Sequence, residues 1–226
     1  NDVVSSRLGR TILELGGNNC IIVDETADIE IVVPAVVFGA VGTAGQRCTS
    51  TRRVIIQENI FDHLLEKIIS AYKQVKIGDP LSDNTLMGPL INKNAVKDHF
   101  AAIDRAIKSG GKLHCGGVDL EGEGTFVEPV IIEAENDWNI VQEETFTPIL
   151  YVMKYKKLSD AISMHNDVPQ GLSSSMFTLN IKNAETFLSS IGSDCNTTAD
   201  CLYPEITHSR KLSNRLSSVT GFIQLL

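Results

Sequence analysis

The chain has 226 residues, of which 42% are hydrophobic and 21% charged, and its formal net charge is −8. These values are typical of a globular protein with one sizeable core and exclude an extensively disordered chain. The acidic balance argues against nucleic acid or an anionic membrane as the main partner, because both attract basic surfaces.

The longest apolar stretch, residues 29–41, contains Glu30 and Pro34 and is shorter than a membrane-spanning helix. The opening residues lack the apolar segment of a secretion signal. The five cysteines are odd in number and widely spread, which favours a reducing compartment over a disulfide framework. We therefore expect the cytoplasm or the mitochondrial matrix.

The first half of the chain alternates strand and helix signals. A short apolar run at 11–15 ends in the turn cluster GGNN, and residues 20–23 predict another strand. Asp28 is placed to cap a helix towards Val41, which is apolar on all faces and therefore expected to be buried, with a kink or a late start near Pro34. A strand at 54–57 and an amphipathic helix at 60–75 follow.

The second half continues the alternation. An amphipathic helix is predicted at 94–109, before Gly110 and Gly111. Residues 126–133 are β-rich but carry Pro129, which predicts an edge strand or a bent one. The remaining strands are predicted at 113–115, 149–155 and 173–178, and the remaining helices at 158–165 and 181–191. The pattern predicts an α/β fold, a sheet with helices on both faces.

Glu14 lies in the motif LELGGNN, residues 13–19. A carboxylate at a strand end, followed by glycines such as Gly16, lies where backbone can approach a ligand closely. A glutamate in a partly apolar site can serve as a general base. The alternative is an ordinary strand-turn with a surface glutamate.

Cys48 ends the motif GTAGQRC, residues 42–48. A thiol after a glycine-containing turn can face a cleft in which free backbone N–H groups stabilise a thiolate and an oxyanion. Arg47 and Arg52 add positive charge nearby. The alternative is a packed cysteine, since free cysteine is among the residues most often buried.

Taken together, the two motifs resemble the active-site signatures of the aldehyde dehydrogenase superfamily. Cys48 follows Glu14 by 34 residues, which also resembles the family's arrangement. EETFTP at 143–148 resembles the family's E-x-F-x-P motif, and MGPLIN at 87–92 and GLSSSMFT at 171–178 resemble later segments. The antiquitin branch, whose substrate is α-aminoadipic semialdehyde, is most similar in three segments: LGGNNCIIVDETADIEIVVP, GTAGQRCTSTRR and GSDC. A similar G-Q-R-C also occurs in methylmalonate semialdehyde dehydrogenases, which leaves a second substrate open.

The resemblance implies roles for individual residues. Cys48 would be the nucleophile and Glu14 the general base in NAD-dependent oxidation of an aldehyde through a thiohemiacetal and a thioester. Glu144, Phe146 and Gly16 would bind the nicotinamide half of NAD. Arg47 would hold the distal carboxylate of a semialdehyde, although a structural salt bridge is the alternative for this residue. A small aldehyde, and neither nucleic acid nor a membrane, is the expected partner.

The resemblance also implies a division of the chain. Residues 1–17 would be the last strand and exit of an NAD-binding domain, 18–195 the catalytic domain, and 196–226 a divergent tail. The family is homo-oligomeric, but its oligomerisation strand and most of its NAD-binding domain have no counterpart here, so we expect little dehydrogenase turnover from this chain alone. A cofactor-independent thiol esterase and a non-catalytic partner chain are the alternative functions.

The tail is expected to be disordered, with a short helix at 208–216 or a membrane-surface anchor as alternatives. Its residues Cys201 and His208, with Cys195, fit no standard zinc spacing, so no metal is expected.

Overall fold

A computed structural model describes residues 2–12, 14–120, 122, 124–193 and 196–197. A short helix α1 (Asp2–Ser5) opens the chain. The strands are β1 (Asn19–Val23), β2 (Thr51–Gln57), β3 (Lys112–Cys115), β4 (Val130–Glu133), β5 (Ile149–Tyr155), β6 (Ser173–Phe177) and β7 (Asn196–Thr197). The other helices are α2 (Ile29–Val41), α3 (Glu58–Tyr72), α4 (Lys93–Lys108), α5 (Asn139–Gln142), α6 (Leu158–Asn166) and α7 (Ile181–Leu188).

The seven strands form one sheet in the order β3-β4-β5-β2-β1-β6-β7. Only β3 is antiparallel to its neighbour among these strands, and the other pairs are parallel. Alternate side chains of the five strands β4, β5, β2, β1 and β6 enter two separate apolar clusters, as the period of two requires. Helices α2 and α3 cover one face, and α4, α6 and α7 cover the other. The predicted α/β fold with helices on both faces is confirmed.

Local sequence signals account for most boundaries. Asp28 caps α2 by accepting a hydrogen bond from the Glu30 N–H, so the helix begins at Ile29 and the late start near Pro34 is wrong. Asn92 caps α4 in the same way, through the N–H of Ala95. Helix α7 ends at Leu188, three residues before the predicted end.

Three predictions about environment are corrected by the structure. Helix α2 is not buried on all faces, because Phe38 is 58% exposed. Residues 126–133 do not form an edge strand: β4 starts directly after Pro129 and has β3 on one side and β5 on the other. Residues 11, 12, 14 and 15 form no strand, because no described strand pairs with them to satisfy their backbone groups.

The assignment of 1–17 to a separate domain stays a prediction. The readings of the tail and of a zinc site there fall on residues 195 and 198–226, outside the described part of the chain. No helix within the described ranges is long and apolar enough to cross a membrane.

Candidate active site

The sequence motifs meet at the amino ends of four neighbouring parallel strands, β5, β2, β1 and β6. Because the strands run in the same direction, the loops that enter them lie at one edge of the sheet. Gly17, in the loop before β1, lies where this loop contacts the loops before β2 and β6. A Cβ at this position would lie 2.7 Å from the Cys48 carbonyl oxygen and 2.8 Å from Leu172 Cβ. Only glycine allows three loops to approach this closely.

The turn between α2 and β2 shapes the approach to Cys48. Thr43, Ala44 and Gly45 have φ of 55°, 53° and 68°, which is a left-handed conformation that costs about 1–2 kcal/mol for each non-glycine residue. A Cβ on Gly45 would lie 2.5 Å from the Thr147 carbonyl oxygen. The strained turn therefore packs closely against the loop before β5.

Gln46 fastens the same turn to the segment that contains MGPLIN. Its side-chain amide donates to the carbonyls of Thr43 at 3.2 Å and Pro89 at 3.3 Å. Its Oε1 accepts from the Ile91 N–H at 2.8 Å. Gln46 of the GTAGQRC motif thus has a structural role here, because it bonds the turn to residues 89 and 91.

Cys48 is a free, half-buried thiol, and Asn19 holds its peptide. The Asn19 amide donates to the carbonyls of Cys48 at 2.8 Å and Ser50 at 2.7 Å. Its Oδ1 accepts from the N–H of Ser173 at 2.8 Å and from the hydroxyl of Ser173 at 3.0 Å. One buried amide therefore fixes the nucleophile loop relative to strands β1 and β6.

Arg52 is 3% exposed. It connects three loops, those that precede β1, β2 and β5. Its guanidinium donates five hydrogen bonds, to Gly17 O, Gly45 O, Arg47 O, Thr145 O and Glu144 Oε1. Burial lowers the pKa of Arg52, and the charges of Glu144 and Cys48 oppose that shift. The guanidinium stays charged in proteins, so a fixed positive charge on β2 contacts the nucleophile loop.

Glu144 and Phe146 form the next part of the site. Glu144 Oε1 accepts from the Gly17 N–H at 3.0 Å and from Arg52 at 3.2 Å, while Oε2 has no hydrogen bond with the described residues. A Cβ on Gly16 would lie only 2.0 Å from Oε2, so Gly16 is the residue that leaves room for this carboxylate. Phe146 is 44% exposed, with the Arg52 guanidinium 5.2 Å from its ring centroid.

Arg47, the residue before Cys48, is exposed. Its guanidinium carbon lies 5.9 Å from the ring centroid of Phe38, and it forms no ion pair with the described residues. The structural salt bridge is therefore not found in this part of the chain. A cation, a thiol and a carboxylate oxygen available for bonding suit nucleophilic chemistry on an anionic carbonyl compound.

Glu14 forms no hydrogen bond with Cys48. It is exposed, and none of its hydrogen bonds or ion pairs involves a described residue. Its role as general base stays a prediction. Sequence reasoning in turn missed Asn19 and the contacts of Arg52, although both residues lie within the motifs that it selected.

The model of the aldehyde dehydrogenase family matches residues 2–198, most of the chain. The chain belongs to the aldehyde dehydrogenase family. Cys48 therefore lies within the part of the chain that matches a family of oxidoreductases.

Relatives confirm the resemblance to the antiquitin branch of aldehyde dehydrogenases. The chain is 50% identical over 192 residues to aldehyde dehydrogenase family 7 member B4 of Arabidopsis thaliana, which covers 85% of the chain and 38% of the relative. It is 45% identical over 194 residues to alpha-aminoadipic semialdehyde dehydrogenase of Bos taurus, covering 85% and 36% respectively. The chain thus spans well under half of the relatives it matches.

Solved aldehyde dehydrogenases share the fold. Lactaldehyde dehydrogenase from Escherichia coli superposes with a TM-score of 0.81 at 34% identity, covering 86% of this chain and 41% of that one. Betaine aldehyde dehydrogenase from Staphylococcus aureus, solved in complex with NAD+, gives a TM-score of 0.81 at 28% identity, with 88% and 41% covered.

Proposed function

We propose that this chain carries the catalytic centre of an NAD-dependent dehydrogenase that oxidises a semialdehyde, such as α-aminoadipic semialdehyde, to the carboxylate. The observation that carries the proposal is the assembly of Cys48, Glu144 and Phe146 around one buried guanidinium in a chain of this family. The similarity to the alpha-aminoadipic semialdehyde dehydrogenase of Bos taurus supports the substrate class.

The chemistry follows from the groups at this edge of the sheet. The Cys48 thiolate attacks the aldehyde carbon and forms a thiohemiacetal. The backbone N–H of Cys48 donates to the new oxyanion. After hydride is lost from the same carbon, the thioester carbonyl is attacked by water. Glu14 would remove the proton from that water, and the carboxylate leaves as the thiol is restored.

NAD supplies the hydride acceptor when it is bound. The residues present fit its nicotinamide half. Glu144 Oε2 has no described partner and can accept from ribose hydroxyls. The exposed ring of Phe146 provides a flat apolar surface beside that oxygen. The betaine aldehyde dehydrogenase from Staphylococcus aureus supports this cofactor, since it was solved in complex with NAD+.

In this proposal, Arg47 selects aldehydes that carry a second, anionic group. The guanidinium of Arg47, the residue before the nucleophile, is exposed and would pair with a carboxylate at the far end of the aldehyde. A charge-assisted hydrogen bond of this type contributes about 1.5–3 kcal/mol, or roughly 10- to 100-fold in affinity.

The substrate is tested by protection of Cys48 from iodoacetamide, which needs no cofactor. We expect α-aminoadipic semialdehyde to protect at lower concentration than hexanal. Arg47→Met should raise the protecting concentration of the semialdehyde about 10- to 100-fold and leave that of hexanal unchanged. Arg105→Met, which removes an exposed arginine outside the site, is the matched control.

Equal protection by both aldehydes, or an equal loss of protection in Arg47→Met, would contradict the substrate class. NAD is tested by calorimetric titration of the chain and of Cys48→Ala. Micromolar binding would support the cofactor, and absence of binding up to millimolar NAD would contradict NAD-dependent turnover by this chain.

A further inference from the structure

We propose that Arg52 is a positioning residue that aims two reacting parts of the site at once: the Cys48 N–H towards the substrate oxygen, and the Glu144 carboxylate towards the cofactor. The proposal rests on the function above. The starting observation is that every N–H of this buried guanidinium has an acceptor, so its orientation is fixed by the three loops that it joins.

The peptide between Arg47 and Cys48 shows how the orientation is transmitted. Its carbonyl oxygen accepts from Arg52 Nη2 at 3.1 Å and from the Ser50 N–H at 3.1 Å. A trans peptide is planar, with C=O and N–H on opposite sides. With the carbonyl held towards the buried guanidinium, the Cys48 N–H points away from it. This N–H has no acceptor among the described residues, as expected of a donor kept for an oxyanion.

The same nitrogen of Arg52 reaches the cofactor side. Nη2 donates to Glu144 Oε1 at 3.2 Å, and the Gly17 N–H donates to the same oxygen at 3.0 Å. Two donors on Oε1 fix the rotation of the carboxylate and leave Oε2 for a ligand. One Arg52 nitrogen thus sets the nucleophile's peptide and the cofactor's acceptor relative to each other.

Other side chains could not replace this arrangement. Lysine carries a positive charge but only three donors on one atom, so it cannot span acceptors that belong to three loops. Methionine fills similar volume with no donor. The two substitutions therefore separate the charge of Arg52 from its geometry.

The experiment compares two reactions of Cys48 in the 226-residue chain. Alkylation by iodoacetamide forms no oxyanion, whereas acylation by p-nitrophenyl acetate forms one. Both rates depend equally on how much thiolate is present and on how accessible it is. Their ratio therefore reports the oxyanion donor, which a merely structural role of Arg52 would not change. Cys48→Ala gives the background for both rates.

We expect Arg52→Met to lower the ratio of acylation to alkylation at least about tenfold, since loss of one oxyanion donor costs about 10²–10³ in rate. Arg52→Lys should keep more of the alkylation rate than Arg52→Met but show a lowered ratio as well. Arg105→Met is the matched control. Arg105 forms an exposed ion pair with Glu143, the residue before Glu144. The ratio of acylation to alkylation in Arg105→Met should equal that of the unchanged chain.

An unchanged ratio in Arg52→Met overturns the proposal. If Arg52→Met does not fold, as shown by its circular dichroism, the ratio in Arg52→Lys decides in the same way. Alkylation without any acylation of the unchanged chain overturns it too. The result is independent of dehydrogenase activity: a lowered ratio without NAD binding would contradict the proposed function alone, and NADH production with an unchanged ratio would contradict the role of Arg52 alone.

Discussion

Arg52 and Arg53 are consecutive residues of β2, and their side chains lie on opposite faces of the sheet. Both are almost fully buried, at 3% and 0% exposure. Arg52 lies on the face covered by α2 and α3, and Arg53 lies on the face covered by α4, α6 and α7. Two similar side chains at one strand end thus serve two different regions of the molecule.

Their acceptors show what separates the regions. Arg52 bonds to the loops that carry the reacting groups and includes a carboxylate among its acceptors. Among the described residues, Arg53 bonds only to neutral oxygens, namely Asn18 Oδ1, Asn18 O, Asn136 Oδ1, Met164 O and His165 O. The last two are carbonyls in the final turn of α6, where unpaired oxygens attract a cation. Arg53 therefore stabilises the fold, and Arg52 shapes the site.

The largest effect expected from this comparison is on stability. Arg53→Met would leave five buried oxygens without their donor, which should cost about 3–5 kcal/mol in the free energy of unfolding. Arg52→Met should cost less, because its region is more exposed and Glu144 keeps the Gly17 N–H. Urea unfolding of both variants measures the difference. A larger loss of stability in Arg52→Met would reverse the assignment of the two faces.

The sequence predicted the parts of the fold that depend on local pattern. The mostly apolar run of β5 and the spaced apolar residues of α3 and α4 fix those elements without reference to distant residues. The strand expected at 11–15 and the edge position expected for 126–133 depended on partners elsewhere in the chain. Local sequence does not contain that information, and these two predictions were wrong.

The site divides in the same way. Resemblance selected Cys48, Glu144 and Phe146 because their motifs are contiguous in sequence. The bonds of Arg52 join residues up to 93 positions apart, and those of Asn19 up to 154, so no local window shows them. A positive charge near the thiol was expected from Arg52, but its use of every donor became visible only once the strands were in register.

A second test concerns the contact between helix α4 and Thr147, which lies just before β5. His99 of α4 is 1% exposed, and its Nδ1 lies 3.2 Å from the Thr147 hydroxyl. Burial lowers the pKa of His99 to about 4, and the Glu128 backbone carbonyl opposes that shift. The unfolded chain takes up this proton near pH 6.5, but the folded chain does not until about pH 4.

Stability should therefore be fully present above about pH 6.5 and fall as the pH drops to about 4, with His99 accounting for a loss on the order of 3 kcal/mol. His99→Gln removes that titration, so its loss of stability between pH 7 and pH 4.5 should be smaller. His63→Gln, a histidine on the outer side of α3, is the control. Parallel pH profiles for the unchanged chain and His99→Gln would show that His99 does not titrate across the transition.

A substitution at Gly45, which contacts Thr147, is expected to have the smallest effect on stability and a large effect on the rate of Cys48 acylation. Gly45→Ala places a Cβ at a φ of 68° and 2.5 Å from the Thr147 carbonyl, which should cost about 2 kcal/mol. The loops must separate to admit it, and a shift of about 1 Å at a reacting group can cost 10²-fold in rate. We expect Cys48 acylation to fall at least about tenfold while urea unfolding changes less than in Arg53→Met.

Gly78→Ala is the matched control, because its nearest neighbouring atom, Thr85 Oγ1, is 3.4 Å from the added Cβ, an ordinary contact distance. Its acylation rate should equal that of the unchanged chain. If Gly45→Ala instead lost stability as strongly as Arg53→Met and kept its acylation rate, the region around Arg52 would be a second structural centre. The strain in the turn before Cys48 would then serve folding, since a strained turn that serves chemistry must lose rate when its geometry is changed.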